Sequence, residues 1–211
     1  MSEILNEISE YLQRGKAKDV QSLVQKALDE GLDAMTILEE GMLAGMNIIG
    51  EKFKNNEIFV PEVLVSARAL NKGTAILKSK LVGEGFKEKG TVILGTVKGD
   101  LHDIGKNLVS MMMESKGLKV IDLGVDVATE DFINAAKENG ASVIAMSALL
   151  TTTMDEMKNV IALAKKECPN VKIMVGGAPV TQSFADAVGA DAYSEDATSA
   201  AEEALRLCTE K

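Results

Sequence analysis

The spacing of apolar residues changes its period near residues 83–90, and that change constrains the fold more than any other feature of the chain. Before it, Ile4, Ile8 and Leu12 recur at helical spacing, and Val20, Leu23, Val24, Ala27 and Leu28 follow the i, i+3, i+4, i+7, i+8 pattern of a second helix. Asp33 is placed to cap a third helix carrying Met35, Leu38, Met42, Met46, Ile49 and Phe53. A fourth opens near Pro61 and carries Val63, Leu64, Ala67, Leu70 and Leu77. Four helices with short connections predict a small bundle over residues 1–85. Residues 83–90 mix glycine with charge and carry no period, which reads as a linker.

Beyond it, short apolar runs at 91–97, 119–123, 142–146 and 171–175, with a weaker fifth at 191–194, alternate with amphipathic stretches of about ten to fifteen residues. Continuous apolar runs separated by helices predict parallel strands buried on both faces, hence a doubly wound, Rossmann-like α/β domain over residues 86–211. Five strands in the flavodoxin-like order 2-1-3-4-5 are expected. Open parallel sheets bind ligands at the carboxyl ends of their strands. Polar and glycine residues collect there at 99–105, 147–153, 176–178 and 194–197.

Composition removes several classes of function. No apolar run approaches the roughly 20 residues that span a bilayer, and the first residues lack the basic-then-apolar order of a signal peptide, so a cytoplasmic protein without a membrane partner is expected. The net charge of −9 argues against nucleic acid as a partner, because phosphate backbones select basic faces. Cys168 and Cys208 form no CxxC pair and read as reduced thiols.

His102 is the only histidine. A solitary histidine is by default a structural residue, but Asp100 lies two positions earlier on a glycine-flanked loop, where a carboxylate can take the proton of one imidazole nitrogen and leave the other free for metal. An Asp-His pair also serves as a general base, so the pairing alone leaves catalysis and ligation open. A nucleotide P-loop is excluded: it needs four residues between its glycines and Ser or Thr after the lysine, whereas Gly99 and Gly105 enclose five and Asn107 follows Lys106. The hydroxyls at 151–153 are equally suited to ending a strand and capping a helix. Gly176-Gly177 by itself reads as a tight turn.

Three elements stand together: Asp100-x-His102-x-x-Gly105, then Ser147-x-Leu149 at 45 residues from the histidine, then Gly176-Gly177 another 29 residues on. This pattern resembles the cobalamin-binding domain of cobalamin-dependent methionine synthase. More closely still, it resembles the stand-alone corrinoid proteins of methanol, methylamine and betaine-type methyltransferase systems, whose helical cap and Rossmann-like domain match nearly the whole chain. The resemblance implies a cobamide bound base-off/His-on, with His102 as the lower ligand to cobalt. It makes Asp100 the partner of the far imidazole nitrogen and Thr153 the next hydroxyl in a proton relay. By the same resemblance Ser147 and Thr151 contact the lower base or nucleotide tail, Ala197 occupies a tail-contact position, Gly176 and Gly177 leave room for the tail, and Leu149 and Gly105 belong to the cofactor-binding motif. Phe53 and Val60 fall where the cap of methionine synthase places Phe and Leu over the upper corrin face.

The implied function is a methyl shuttle that is non-catalytic alone. A methyl group passes from a substrate-specific methyltransferase to Co(I), and from methyl-Co(III) to a second methyltransferase using coenzyme M or tetrahydrofolate. A reductive activase would be a further partner. The alternatives are a B12-based sensor, which would carry a DNA-binding module and a less acidic surface, and a mutase B12 subunit, which would lack the bundle. A hydrolase built on the Asp-His pair lacks a Ser or Cys nucleophile in a recognisable elbow.

Overall fold

The computed structural model describes residues 3–83 and 88–210, and the chain divides into two compact units, residues 1–87 and 88–211. Residues 84–87, the middle of the expected linker, lie outside the described residues.

The first unit is helical. Helices α1 (Glu3–Gln13) and α2 (Ala17–Asp29) bury the expected stripes, Ile4, Ile8 and Leu12 on one and Val20, Val24 and Ala27 on the other. The third rod starts as expected, with the Asp33 carboxylate accepting the Thr36 N–H at 2.9 Å. It is not a continuous α-helix, however. After α3 (Ala34–Thr36) the chain winds as a π-helix over Ile37–Leu43 before α4 (Ala44–Lys54), and the Ala44 N–H reaches back five residues to the Glu39 carbonyl. The wider turn lets Ile37, Leu38, Gly41, Met42 and Leu43 all be buried, more than one α-helical stripe accommodates. Helix α5 (Val60–Gly83) has Pro61 in its first turn and buries Val63, Ala67, Leu70 and Leu77. Its Glu62 carboxylate accepts the Phe59 N–H at 3.1 Å, one half of a capping box.

The second unit is the expected doubly wound sheet. Strands β1 (Thr91–Thr96), β2 (Lys119–Asp122), β3 (Val143–Ser147), β4 (Lys172–Gly176) and β5 (Ala192–Tyr193) are all parallel in the order β2-β1-β3-β4-β5. Consecutive buried residues, Val92-Ile93-Leu94 and Val143-Ile144-Ala145-Met146, give the central strands their covered faces. On β1, Gly95 leaves room for Phe132: an added Cβ would lie 2.8 Å from its ring.

Helices α6 (Ile104–Ser115), α7 (Thr129–Asn139), α8 (Met154–Glu167), α9 (Gln182–Val188) and α10 (Ala197–Thr209) cover the sheet. Helix α9 has only seven residues, short of the ten to fifteen expected, because Gly189 ends it in the left-handed conformation. No described helix is long and apolar enough to cross a membrane.

The chain leaves β1 for the edge strand β2 and returns to β3 on the other side, so the topological switch point lies between the loops after β1 and β3. Helix α6 is tied down beside it. Lys106, 3% exposed, pairs with Asp122 at the end of β2 and donates to Asn107 Oδ1 at 2.7 Å. Asp122→Asn leaves that buried ammonium without a counter-charge and is expected to cost about 3 kcal/mol, read as a lowered urea midpoint. A loss under about 1 kcal/mol would mean that Lys106 needs no counter-ion.

Candidate functional site

The β1 loop is shaped by backbone bonds before any side chain acts. The Asp100 N–H donates to the Val97 carbonyl at 3.1 Å, and its own carbonyl accepts the Asp126 N–H at 3.0 Å. Asp126, in the left-handed region at φ 54, accepts the Gly99 N–H at 2.7 Å. Thr96, fully buried at the end of β1, donates its hydroxyl to the His102 carbonyl at 2.9 Å. These bonds hold the loop bent so that residue 100 points inward and residue 102 outward.

The Asp100 carboxylate is fully buried and saturated. One oxygen, Oδ1, accepts His102 Nδ1 at 2.7 Å and the His102 N–H at 3.1 Å. The other, Oδ2, accepts the Leu149 N–H at 2.7 Å, the Leu150 N–H at 3.2 Å and the Thr153 hydroxyl at 2.9 Å. Burial pushes the carboxyl pKa up, but the Leu149 amide, the His102 ring and N–H, and the Thr153 hydroxyl outweigh it and hold the group well below the usual carboxylate range. Asp100 is therefore an anion that clasps the β1 loop to the β3 loop. Thr153 Oγ1 lies equally close, 2.9 Å, to the Leu150 carbonyl.

An ionised carboxylate only accepts, so Nδ1 of His102 carries a ring proton, and in the neutral ring the lone pair is left on Nε2. The side chain is 51% exposed. The result is a fixed imidazole aimed out of the carboxyl end of the sheet with one nitrogen ready to ligate.

Other expected site residues gather at the same edge. Ser147 closes β3, pairing with Thr96 on β1 and Gly176 on β4. Leu149 and Thr151 are exposed on the β3 loop, and Thr153 is buried where α8 begins. Ala197 opens α10, whose N-terminus Asp196 caps.

The two adjacent glycines part company. A Cβ on Gly176 would meet nothing closer than the Ser194 carbonyl at 3.7 Å, whereas Gly177, at φ +123, would drive a Cβ to 1.9 Å from the Ala148 carbonyl oxygen. Gly177 is required by the fold itself; Gly176 leaves space. Phe53 and Val60 lie in the helical unit, half-buried at the end of α4 and the start of α5, while Met46 is fully buried core. Sequence reasoning missed Thr96, Asp126 and the Leu149 and Leu150 amides. The one available signal was Thr96, a hydroxyl ending an otherwise apolar strand.

The donor set fits a corrinoid. Among the described residues no three His, Cys, Asp or Glu side chains cluster to hold a free ion. A single imidazole suits a metal that brings its own equatorial nitrogens, as cobalt in a corrin does. Gly105, in the first turn of α6, would meet nothing within 4 Å of an added Cβ, and Leu101 and Ile104 beside it are 71% and 77% exposed. The loop thus offers an apolar, unobstructed rim around His102. The buried Ser194 hydroxyl has no hydrogen-bond partner among the described residues.

Comparison with known proteins converges on one family. Two models described as B12 binding domains match residues 4–78 and 90–205. The dimethylamine corrinoid protein of Methanosarcina barkeri is 44% identical over 97% of both chains, and a corrinoid protein of Desulfitobacterium hafniense is 41% identical over 97% of both. The crystal structure of the methanol:cobalamin methyltransferase complex from Methanosarcina barkeri matches with a TM-score of 0.90 at 30% identity, covering 100% of this chain and 81% of that one. The chain belongs to the family of B12-binding corrinoid proteins.

Proposed function

We propose that the chain is a cytoplasmic methyl shuttle, carrying a cobamide between a substrate-specific methyltransferase and a second methyltransferase that uses coenzyme M or tetrahydrofolate, with a reductive activase as a further partner. When bound, the cobamide supplies a Co(I) nucleophile that takes up a methyl group and releases it from Co(III). The observation that carries the reading is the buried Asp100 carboxylate holding Nδ1 of His102 at 2.7 Å.

His102 Nε2 would hold the cobalt in place of the cofactor's own base. Asp100 fixes the ring's orientation and tautomer, and would thereby hold Nε2 toward the metal. Thr153 adjusts how strongly Asp100 holds that ring. Ser147, Leu149, Thr151, Gly176 and Ala197 line the path for the nucleotide tail, with Gly177 keeping the neighbouring turn closed. In the helical unit, residues 1–85, Phe53 and Val60 are the apolar side chains that would keep water from a methylated cofactor. Relatives named for dimethylamine and the methanol:cobalamin methyltransferase complex support the carrier role.

The test is reconstitution of the purified chain with a cobamide. The Co(II) form should show hyperfine splitting from one axial nitrogen that survives replacement of the cofactor by one without a coordinating base. In His102→Ala it should vanish. An identical signal in wild type and variant would defeat the ligation model.

A further inference from the structure

One row of residues crosses the carboxyl edge of the sheet. Thr96 on β1 pairs with Ser147 on β3, which pairs with Gly176 on β4. Val175 pairs with Tyr193 on β5, so Ser194 stands beside Gly176. Parallel neighbours in register send their side chains to the same face. Two hydroxyls, Ser147 and Ser194, therefore flank a position with no side chain, about two strand spacings or ~10 Å apart. A Cβ on Gly176 would meet only the Ser194 carbonyl, at 3.7 Å.

The Thr96 hydroxyl is committed to the His102 carbonyl. Ser194 Oγ is buried and has no partner among the described residues. A buried hydroxyl without a partner is rare, because it forgoes the bonds water would make. Its neighbour on the same turn does not compensate, since Asp196 is spent on the N–H groups of Thr198 and Ser199 and on the Ser199 hydroxyl.

We propose that Ser194 donates a hydrogen bond to the base at the end of the cobamide's nucleotide tail, and that it selects cobamides whose base carries a ring nitrogen over those with a phenolic ring. The inference rests on the cobamide reading above. Once His102 takes the axial position, the nitrogen that would otherwise bind cobalt is freed. Burying that acceptor is unfavourable unless a donor meets it. Ser194 is a buried donor at the edge where the backbone leaves room. A phenolic ring, joined to the tail through its oxygen, offers no ring acceptor and leaves the Ser194 hydroxyl unpaired.

The experiment titrates the full apo chain, wild type and Ser194→Ala, with a benzimidazolyl cobamide, a purinyl cobamide, a phenolyl cobamide and tail-less cobinamide, following visible absorption. Ser194→Ala should weaken the two nitrogen-bearing cobamides by about tenfold and leave phenolyl cobamide and cobinamide within about twofold. Ser194→Cys, close in size and a weaker donor, should fall between. Equal weakening of all four ligands would assign Ser194 to packing, and no change for any would remove it from the site; either overturns the inference. If wild type binds all four and Ser194→Ala is unchanged, this inference alone fails. If wild type binds none, the cobamide reading falls with it.

Discussion

Asp100→Ala is expected to destabilise the 88–211 unit by about 3 kcal/mol, from three backbone amides, those of His102, Leu149 and Leu150, each losing a charged acceptor at roughly 1 kcal/mol. Thr153 loses least, because it keeps the Leu150 carbonyl. Chemical denaturation measures the loss, and a change under about 1 kcal/mol would mean that water replaces the carboxylate.

Asp100→Asn separates stability from ligation. Its amide oxygen can still face the Leu149 and Leu150 amides, but its NH2 then faces His102 Nδ1. The ring must accept there and carry its proton on Nε2, which cannot ligate. The variant should fold and lose the axial-nitrogen signal. The pH dependence has a definite sign. Asp100 has its folded pKa depressed, so its contribution is fully present above the unfolded value of about 3.9 and is lost as pH falls toward the folded value. Wild type should lose stability faster than Asp100→Asn as pH is lowered below about 4.

Gly177→Ala should be at least as damaging, about 4 kcal/mol or more, and by a different route. The new Cβ would lie 1.9 Å from the Ala148 carbonyl oxygen, 2.9 Å from its carbon and 3.1 Å from its nitrogen, all backbone that no rotamer change can move. The φ of +123 adds strain for any residue with a side chain. Relief requires the loops after β3 and β4 to separate. The bond from the Ala148 N–H to the Gly176 carbonyl, 3.2 Å, breaks first, and the Leu149 amide next door moves off Asp100. A thermal melt and the axial-nitrogen signal should therefore fail together. Normal stability in the variant would show that the turn can re-form elsewhere.

The parts legible in sequence were those written in side-chain period or residue type. Parallel strands show as apolar runs, which located all five although the edge strand β2 is only half-buried, and the Asp100-x-His102-x-x-Gly105 spacing located the loop that ends β1. Backbone donors carry no such mark: nothing in the identities of Leu149 and Leu150 says that their amides point at Asp100. The π-helical turn at Ile37–Leu43 was hidden because its apolar positions also satisfy an α-helical reading. Gly176 and Gly177 are the same letter twice, and only the placement of Ala148 and Ser194 shows that one closes a turn and the other leaves a gap.

Thr153 owns one hydroxyl proton and has two acceptors at 2.9 Å, Asp100 Oδ2 and the Leu150 carbonyl. A rotation about a single C–O bond moves that proton from one to the other while every heavy atom stays in place. Asp100 then grips His102 with one more or one fewer competing donor. Such a rotation takes on the order of picoseconds to nanoseconds, so the hold of Asp100 on the His102 ring can change far faster than any loop could rearrange.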